Sequence, residues 1–180
     1  MNVYDKILVI DLESTCWEED GDYQKNNSEI IEIGICKYVI STGEIEAKKS
    51  YYIKPENSEI SEFCTKLTGI TKQIIEKEGV SLETALKRIK NKYRSQARIW
   101  AAFGDYDRIM LEKECKKREI SHPFGETYLN IRSLMTVKNK MAKGIGLTEA
   151  LILVKESFDG NEHCGADDAY NTAKLLRFIL

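Results

Sequence analysis

Two carboxylates spaced two residues apart, Asp11 and Glu13, end the apolar run Ile7-Leu-Val-Ile10. A short β-branched run of this kind reads as a strand buried on both faces. Alternate side chains of a strand point the same way, so Asp11 and Glu13 share a face. Side by side they repel, and either a cation lies between them or one takes up a proton. The chemistry this implies is a divalent-metal site with oxygen ligands, Mg²⁺ or Mn²⁺. The alternative is that the strand has ended and both acids are solvated. Two further acids stand at element boundaries: Asp107 at the start of the helix after the fourth strand, and Asp168 in the first turn of the last helix. Taken singly, each is also what capping and the helix dipole favour. His163 lies five residues before Asp168, on a loop containing Gly165, so an imidazole can be brought over a site that the aspartate lines. Four carboxylates and a neutral histidine suit two divalent ions, ~3.5–4 Å apart in such sites. The histidine would accept a proton from water. His122, just before Pro123, reads as a surface residue.

The elements that must position these groups follow from periodicity. Ile30 to Ile40 reads as a second strand, interrupted by Glu32 and Lys37. Ser41-Thr-Gly43 is a turn, and Glu44 to Ile53 is a third, edge-type strand ending at Pro55. These three form a meander, separated at first by a polar loop, Glu18 to Ser28. Short helices are expected over 58–66 and 71–77, with Gly69 as a C-cap. A longer helix spans 82–93, capped by Ser81. A strand over 97–103 is broken by Gly104, and a helix follows over 106–118. A fifth strand covers 128–131. Helices over 133–141, 147–156 and 167–180 complete the chain, with a loop over 158–165 before the last. Strands followed by alternating helices and strands predict an α/β layer fold: a mixed five-stranded sheet flanked by helices, in a single domain over residues 1–180.

The 180 residues suffice to bury a core, and the composition, 42% hydrophobic and 31% charged, suits a soluble globular protein. No stretch approaches the ~20 apolar residues of a membrane span, so no membrane partner is expected. The N-terminal residues lack the basic-then-apolar order of a signal peptide. Five scattered cysteines favour reduced thiols in a cytoplasm, and two histidines argue against a Cys/His zinc site. A net charge of −2 argues against a protein that coats nucleic acid by charge alone. It does not exclude an enzyme acting on a phosphodiester, because bound cations would reverse the local field.

Three motifs occur in order: Val9-Ile-Asp-Leu-Glu-Ser-Thr-Cys-Trp17, Ala102-Phe-Gly-Asp-Tyr-Asp-Arg-Ile-Met-Leu111 and His163-Cys-Gly-Ala-Asp-Asp-Ala-Tyr-Asn-Thr-Ala173. Between them stand Ile30-Ile-Glu-Ile-Gly34, Lys54-Pro55 and Leu67-Thr-Gly-Ile-Thr71. In this combination the chain resembles the DEDDh 3′–5′ exonucleases of the ribonuclease-H-like fold. It is most similar to the KapD-like or Eri-like branch, related to ribonuclease T and to the proofreading subunit of bacterial DNA polymerase III. The resemblance covers nearly the whole chain. It implies Asp11, Glu13, Asp107 and Asp168 as metal ligands and His163 as general base. The resemblance prefers Asp107 to Asp105, because the family's aspartate is followed by two residues and then an apolar pair, here Met110-Leu111. Asp168 is preferred to Asp167 by its spacing from His163. Asp105 would then cap the helix and Asp167 would sit on its solvated side.

The resemblance implies hydrolysis of the last phosphodiester at the 3′ end of single-stranded RNA or DNA, releasing nucleoside 5′-monophosphates with two ions, Mg²⁺ or Mn²⁺. It places Ser14 and Thr15 against the 3′ end, and Leu67, with Thr68 beside it, against the terminal bases. Trp17 and Phe103 are candidate stacking surfaces, although Phe103 also suits the core and Leu67 a helix-end contact. Lys138, Lys140 and Lys143 suit a phosphate or a solvated face. Competing readings are an endonuclease on the same fold, and a catalytically silent or partner-dependent metal-binding module such as a proofreading subunit. A homodimer or a partner subunit stays open.

Overall fold

The computed structural model describes residues 3–19 and 21–180. Five strands, β1 (Lys6–Ser14), β2 (Ile30–Val39), β3 (Ile45–Tyr52), β4 (Trp100–Ala102) and β5 (Tyr128–Asn130), form one mixed sheet in the order β3-β2-β1-β4-β5. β1, β2 and β3 make the expected antiparallel meander, with β3 at an edge. β4 runs parallel to β1, and β5 parallel to β4.

The alternation of β1 sorts the helices into two layers. Leu8, Ile10 and Leu12 pack against α4 (Leu82–Tyr93) and α5 (Tyr106–Lys117). Ile7 and Val9 pack against α6 (Ile131–Lys138), α7 (Leu147–Leu153) and α8 (Gly165–Ile179). Asp11 and Glu13 continue the second series, so the strand's own period aims both at α8. A smaller cluster, which includes Cys16, Ile31, Cys64 and Ile75, seats α2 (Glu62–Thr68) and α3 (Lys72–Glu78) beside the exit of β1.

Local signals end the helices where expected. Ser81 accepts from the Thr84 N–H, and Gly69 takes a left-handed conformation at φ +73° with its N–H on the Thr65 carbonyl. Other bounds differ. The polar stretch 18–28 holds a short helix, α1 (Asp22–Asn27), that buries nothing and so leaves no apolar period to read. The helix expected over 58–66 starts at Glu62, because the Ser61 hydroxyl accepts from the Cys64 N–H. The strand expected over 97–103 shrinks to Trp100–Ala102, because residues 95–97 form a 3-10 turn after a left-handed Arg94. All five cysteines are free. Among the described residues no helix is long and apolar enough to cross a membrane.

Candidate active site

The site lies where β1 stops pairing regularly. Asp11 stands opposite Gly34 and Glu13 opposite Glu32, and the register slips between Glu13 and Ser14. Such a bulge ends a ladder and redirects side chains. On the facing layer, α8 presents Asp168 from its first turn. Asp11, Glu13 and Asp168 each offer a carboxylate oxygen, and the three oxygens lie within 4.8 Å of one another. Asp107, 4% exposed in the first turn of α5, approaches from the other layer, and its Oδ1 accepts from the Leu12 N–H at 2.9 Å. It thus grips β1 between Asp11 and Glu13. The four acids that sequence proposed therefore come from three elements to one place.

Concentrating them is costly without a counter-charge. Burial, and then the charges of Asp107 and Asp168, hold the Asp11 carboxyl well above the usual carboxylate range. Burial and the charges of Asp168, Glu32 and Asp107 push Glu13 up to about 9. Burial lifts Asp107 to about 7 despite its hydrogen bond from Leu12. Asp168 also rises to about 7 by burial, although the main-chain N–H groups of His163 and Cys164 oppose this. Its Oδ2 is buried without a hydrogen-bond partner. An all-oxygen, multiply anionic donor set with an orphaned carboxylate oxygen suits a hard divalent cation, and the residues fit that group.

The exonuclease family model, of the RNase T type, matches residues 8–176, a span that includes every one of these acids. The chain belongs to this exonuclease family. The chain is 35% identical to mouse ERI1 exoribonuclease 2, an alignment covering 96% of this chain and 28% of that protein. It is 29% identical to the Drosophila 3′-5′ exonuclease Snipper, covering 98% of this chain and 69% of that one. The chain thus spans under a third of the length of the ERI1-type relative. Among solved structures, the nuclease domain of 3′hExo, described as a DEDDh family member bound to rAMP, superposes with a TM-score of 0.87 at 29% identity, covering 96% of this chain and 90% of that domain. The five-stranded mixed sheet with its two helical layers is thus the ribonuclease-H-like fold.

In this chain, the paired aspartates separate clearly. Asp105 is exposed, pairs with Arg108 at 3.3 Å and accepts from Asn130 Nδ2; its side chain makes no cap bond, contrary to expectation. Asp167 is not on a solvated side. It is 8% exposed, pairs with Lys48 of β3 and accepts from the Asn161 N–H at 2.8 Å, fastening the preceding loop. His163 sits in the turn leading into α8, exposed, with a left-handed backbone at φ +62°. Such a conformation is uncommon for a side-chain-bearing residue and marks a constrained position. Its imidazole makes no hydrogen bond among the described residues. His122, by contrast, is no plain surface residue: its ring packs 5.6 Å from that of Trp100 and 6.0 Å from that of Phe124.

The residues proposed to meet substrate fall into two groups. Ser14 is at the rim, its hydroxyl 2.7 Å from that of Tyr106. Leu67 is 39% exposed on the last turn of α2. Trp17 is half-buried and packs edge-on to Tyr23 at 5.0 Å. Phe103 is half-buried against the α6–α8 layer. Thr15 and Thr68 are different, because their side chains are consumed by the fold. Thr15 is fully buried, with Oγ1 accepting from the Glu29 N–H and bonded to Ser58 Oγ. Thr68 Oγ1 donates to the Cys64 carbonyl and accepts from the Ile70 N–H. Both hydroxyls are thus engaged within the fold. Two residues at the site were missed as individuals. Tyr106 is the aromatic between Asp105 and Asp107, legible only as part of that motif. Glu32 is a charged residue inside an apolar strand, a pattern that signals a buried partner. A concavity of about 770 Å³ lined by Trp100, His122, Phe124 and Tyr128 lies away from the four acids, none of which lines it.

Proposed function

We propose that the chain is a 3′–5′ exonuclease that shortens single-stranded RNA from its 3′ end, releasing nucleoside 5′-monophosphates, with two divalent ions and His163 as general base. The observation that carries this reading is the meeting of Asp11, Glu13 and Asp168 at the end of β1. RNA is favoured over DNA because the ERI1-type relatives are named exoribonucleases and the 3′hExo domain is described with rAMP. Mg²⁺ or Mn²⁺ held there would neutralise charge on the phosphorus and on the departing 3′ oxygen.

The chain's own residues divide the remaining work. Asp11, Glu13, Asp107 and Asp168 would hold the ions, with Asp107 also fixing β1 through Leu12. His163, exposed at the mouth of the α8 turn, would accept the proton of the attacking water. Ser14 and Tyr106 form a hydroxyl pair at the rim that can hydrogen-bond the terminal nucleotide. Exposed Leu67 offers an apolar surface to its base.

Linear and circular single-stranded RNA and DNA of one sequence, incubated with Mn²⁺, Mg²⁺ or chelator, test this. Trimming of the linear molecules alone, faster on RNA and absent in chelator, is expected. Cutting of the circle would move the assignment to an endonuclease on the same fold. No trimming of any substrate by folded protein would move it to a silent or partner-dependent module.

A further inference from the structure

Helix α8 carries Asp168 and follows His163, yet its own N-cap residue, Cys164, makes no side-chain cap bond. The first-turn N–H groups of a 15-residue helix need acceptors and favour negative charge. A carboxylate from another element supplies both. Glu32 of β2 is 1% exposed, and its Oε2 accepts from the Gly165 N–H at 3.1 Å. The Ala166 N–H and the Ser50 hydroxyl face the same carboxylate.

The rest of that β2 face is shaped to the helix. A Cβ on Gly34 would lie 1.9 Å from the Gly165 carbonyl carbon, so the helix start rests directly on strand backbone. Two residues further along the same face, Cys36 Sγ donates to the Ala169 carbonyl at 3.4 Å. Glu32, Gly34 and Cys36 thus form a rail of alternate residues along α8. Glu32 also stands directly opposite Glu13, and its Oε1 is buried without a partner.

We propose that Glu32 is a positioning residue of the active site: presented from β2, its carboxylate caps α8 and sets the depth and rotation at which the helix delivers Asp168 to Asp11 and Glu13. This rests on the reading of Asp168 as a metal-holding residue. Glu32 does not touch the reacting atoms; it acts through α8. Loss of groups that orient metal-holding side chains typically weakens metal affinity about 10–100-fold.

The test compares wild type, Glu32→Gln and Glu32→Ala in three readouts: the Mn²⁺ half-saturation of the thermal shift without nucleic acid, KM against kcat on an oligonucleotide, and amide exchange of Gly165 and Ala166 in chelator. Glu32→Gln keeps an acceptor for the Gly165 N–H and should hold the Mn²⁺ midpoint within about threefold. Glu32→Ala should raise it about tenfold or more, lower kcat at fixed Mn²⁺, leave KM nearly unchanged and speed exchange of both amides. If Glu32→Ala lowers only the metal-free melting temperature, leaving the Mn²⁺ midpoint and both exchange rates unchanged, the proposal is overturned. It is overturned equally if Glu32→Gln matches Glu32→Ala in the midpoint, because charge and not the hydrogen bond would then be responsible. A wild type without any Mn²⁺ shift, but with fast exchange confined to Glu32→Ala, would sink the metal reading and leave the cap standing.

Discussion

Asp107 is the acid whose replacement best separates stability from activity. It is 4% exposed, and burial lifts its carboxyl from 3.8 to about 7 against the pull of the Leu12 N–H. With the folded pKa raised, the folded state binds the proton more tightly than the unfolded state. Stability from this group is therefore fully present below about pH 4, declines between about 4 and 7, and levels off above that. A shift of about three units at 1.36 kcal/mol each sets a ceiling of about 4 kcal/mol, and dielectric relaxation around a real site reduces it to about 1–2 kcal/mol. Asp107→Asn removes the charge and keeps an acceptor for Leu12. In chelator at pH 8 the variant should melt above wild type by about 2–8 °C for a chain of this size, and the two should converge near pH 4.5. Adding Mn²⁺ should reverse the order, because only wild type gains the full stabilisation of bound ions. Melting curves followed by circular dichroism supply the comparison. A variant that melts below wild type at pH 8 in chelator, or a difference that ignores pH, would refute the reasoning.

Three other changes probe the frame. Arg118, 11% exposed, donates to Glu29 at 2.7 Å and to Glu114 at 2.9 Å, both 1% exposed; Glu29 keeps the Asn57 and Ser58 N–H groups, but Arg118→Ala strands the buried Glu114 carboxylate and should cost about 3–5 kcal/mol in urea unfolding. Gly34→Ala forces a methyl into the Gly165 backbone, and because strand and helix cannot both stay in place, Mn²⁺ binding and activity should fall together, read by thermal shift and turnover. His163→Gly should lower the rate ~10²-fold or more. It should leave stability within about 1 kcal/mol, because relief of the left-handed backbone offsets the added freedom of glycine when unfolded; urea melts and single-turnover rates check this.

What could be read in the sequence were features whose cause is local. Ile7 to Ile10 announced a doubly buried strand, and period two put Asp11 and Glu13 on one face. Gly69 and Ser81 end and start their helices through their own backbone preferences. Asp168 and Asp107 stand out from their neighbours only through the family pattern that the motifs resemble. What could not be read depends on partners distant in sequence. Asp167, expected on the solvated side of its helix, is buried because Lys48, 119 positions earlier, and the loop at Asn161 both close on it. Thr15 and Thr68 carry hydroxyls that suit a substrate, and only the folded chain reveals that Ser58, Glu29 and Ile70 occupy them. Glu32 broke the apolar period of β2 without naming its partner, which lies 133 residues later at Gly165. Helix α1 buries no residue, so no periodicity betrayed it.

The central claim is that the acids meeting at the end of β1 drive removal of nucleotides from a 3′ end. The most direct measurement is a gel time course on 5′-labelled single-stranded RNA in Mn²⁺, run with wild type beside Asp11→Asn of matched circular dichroism. Wild type should give a ladder that steps inward from the 3′ end, and Asp11→Asn should give none. A ladder of comparable rate with Asp11→Asn, or products that retain the 3′ end, would contradict the account.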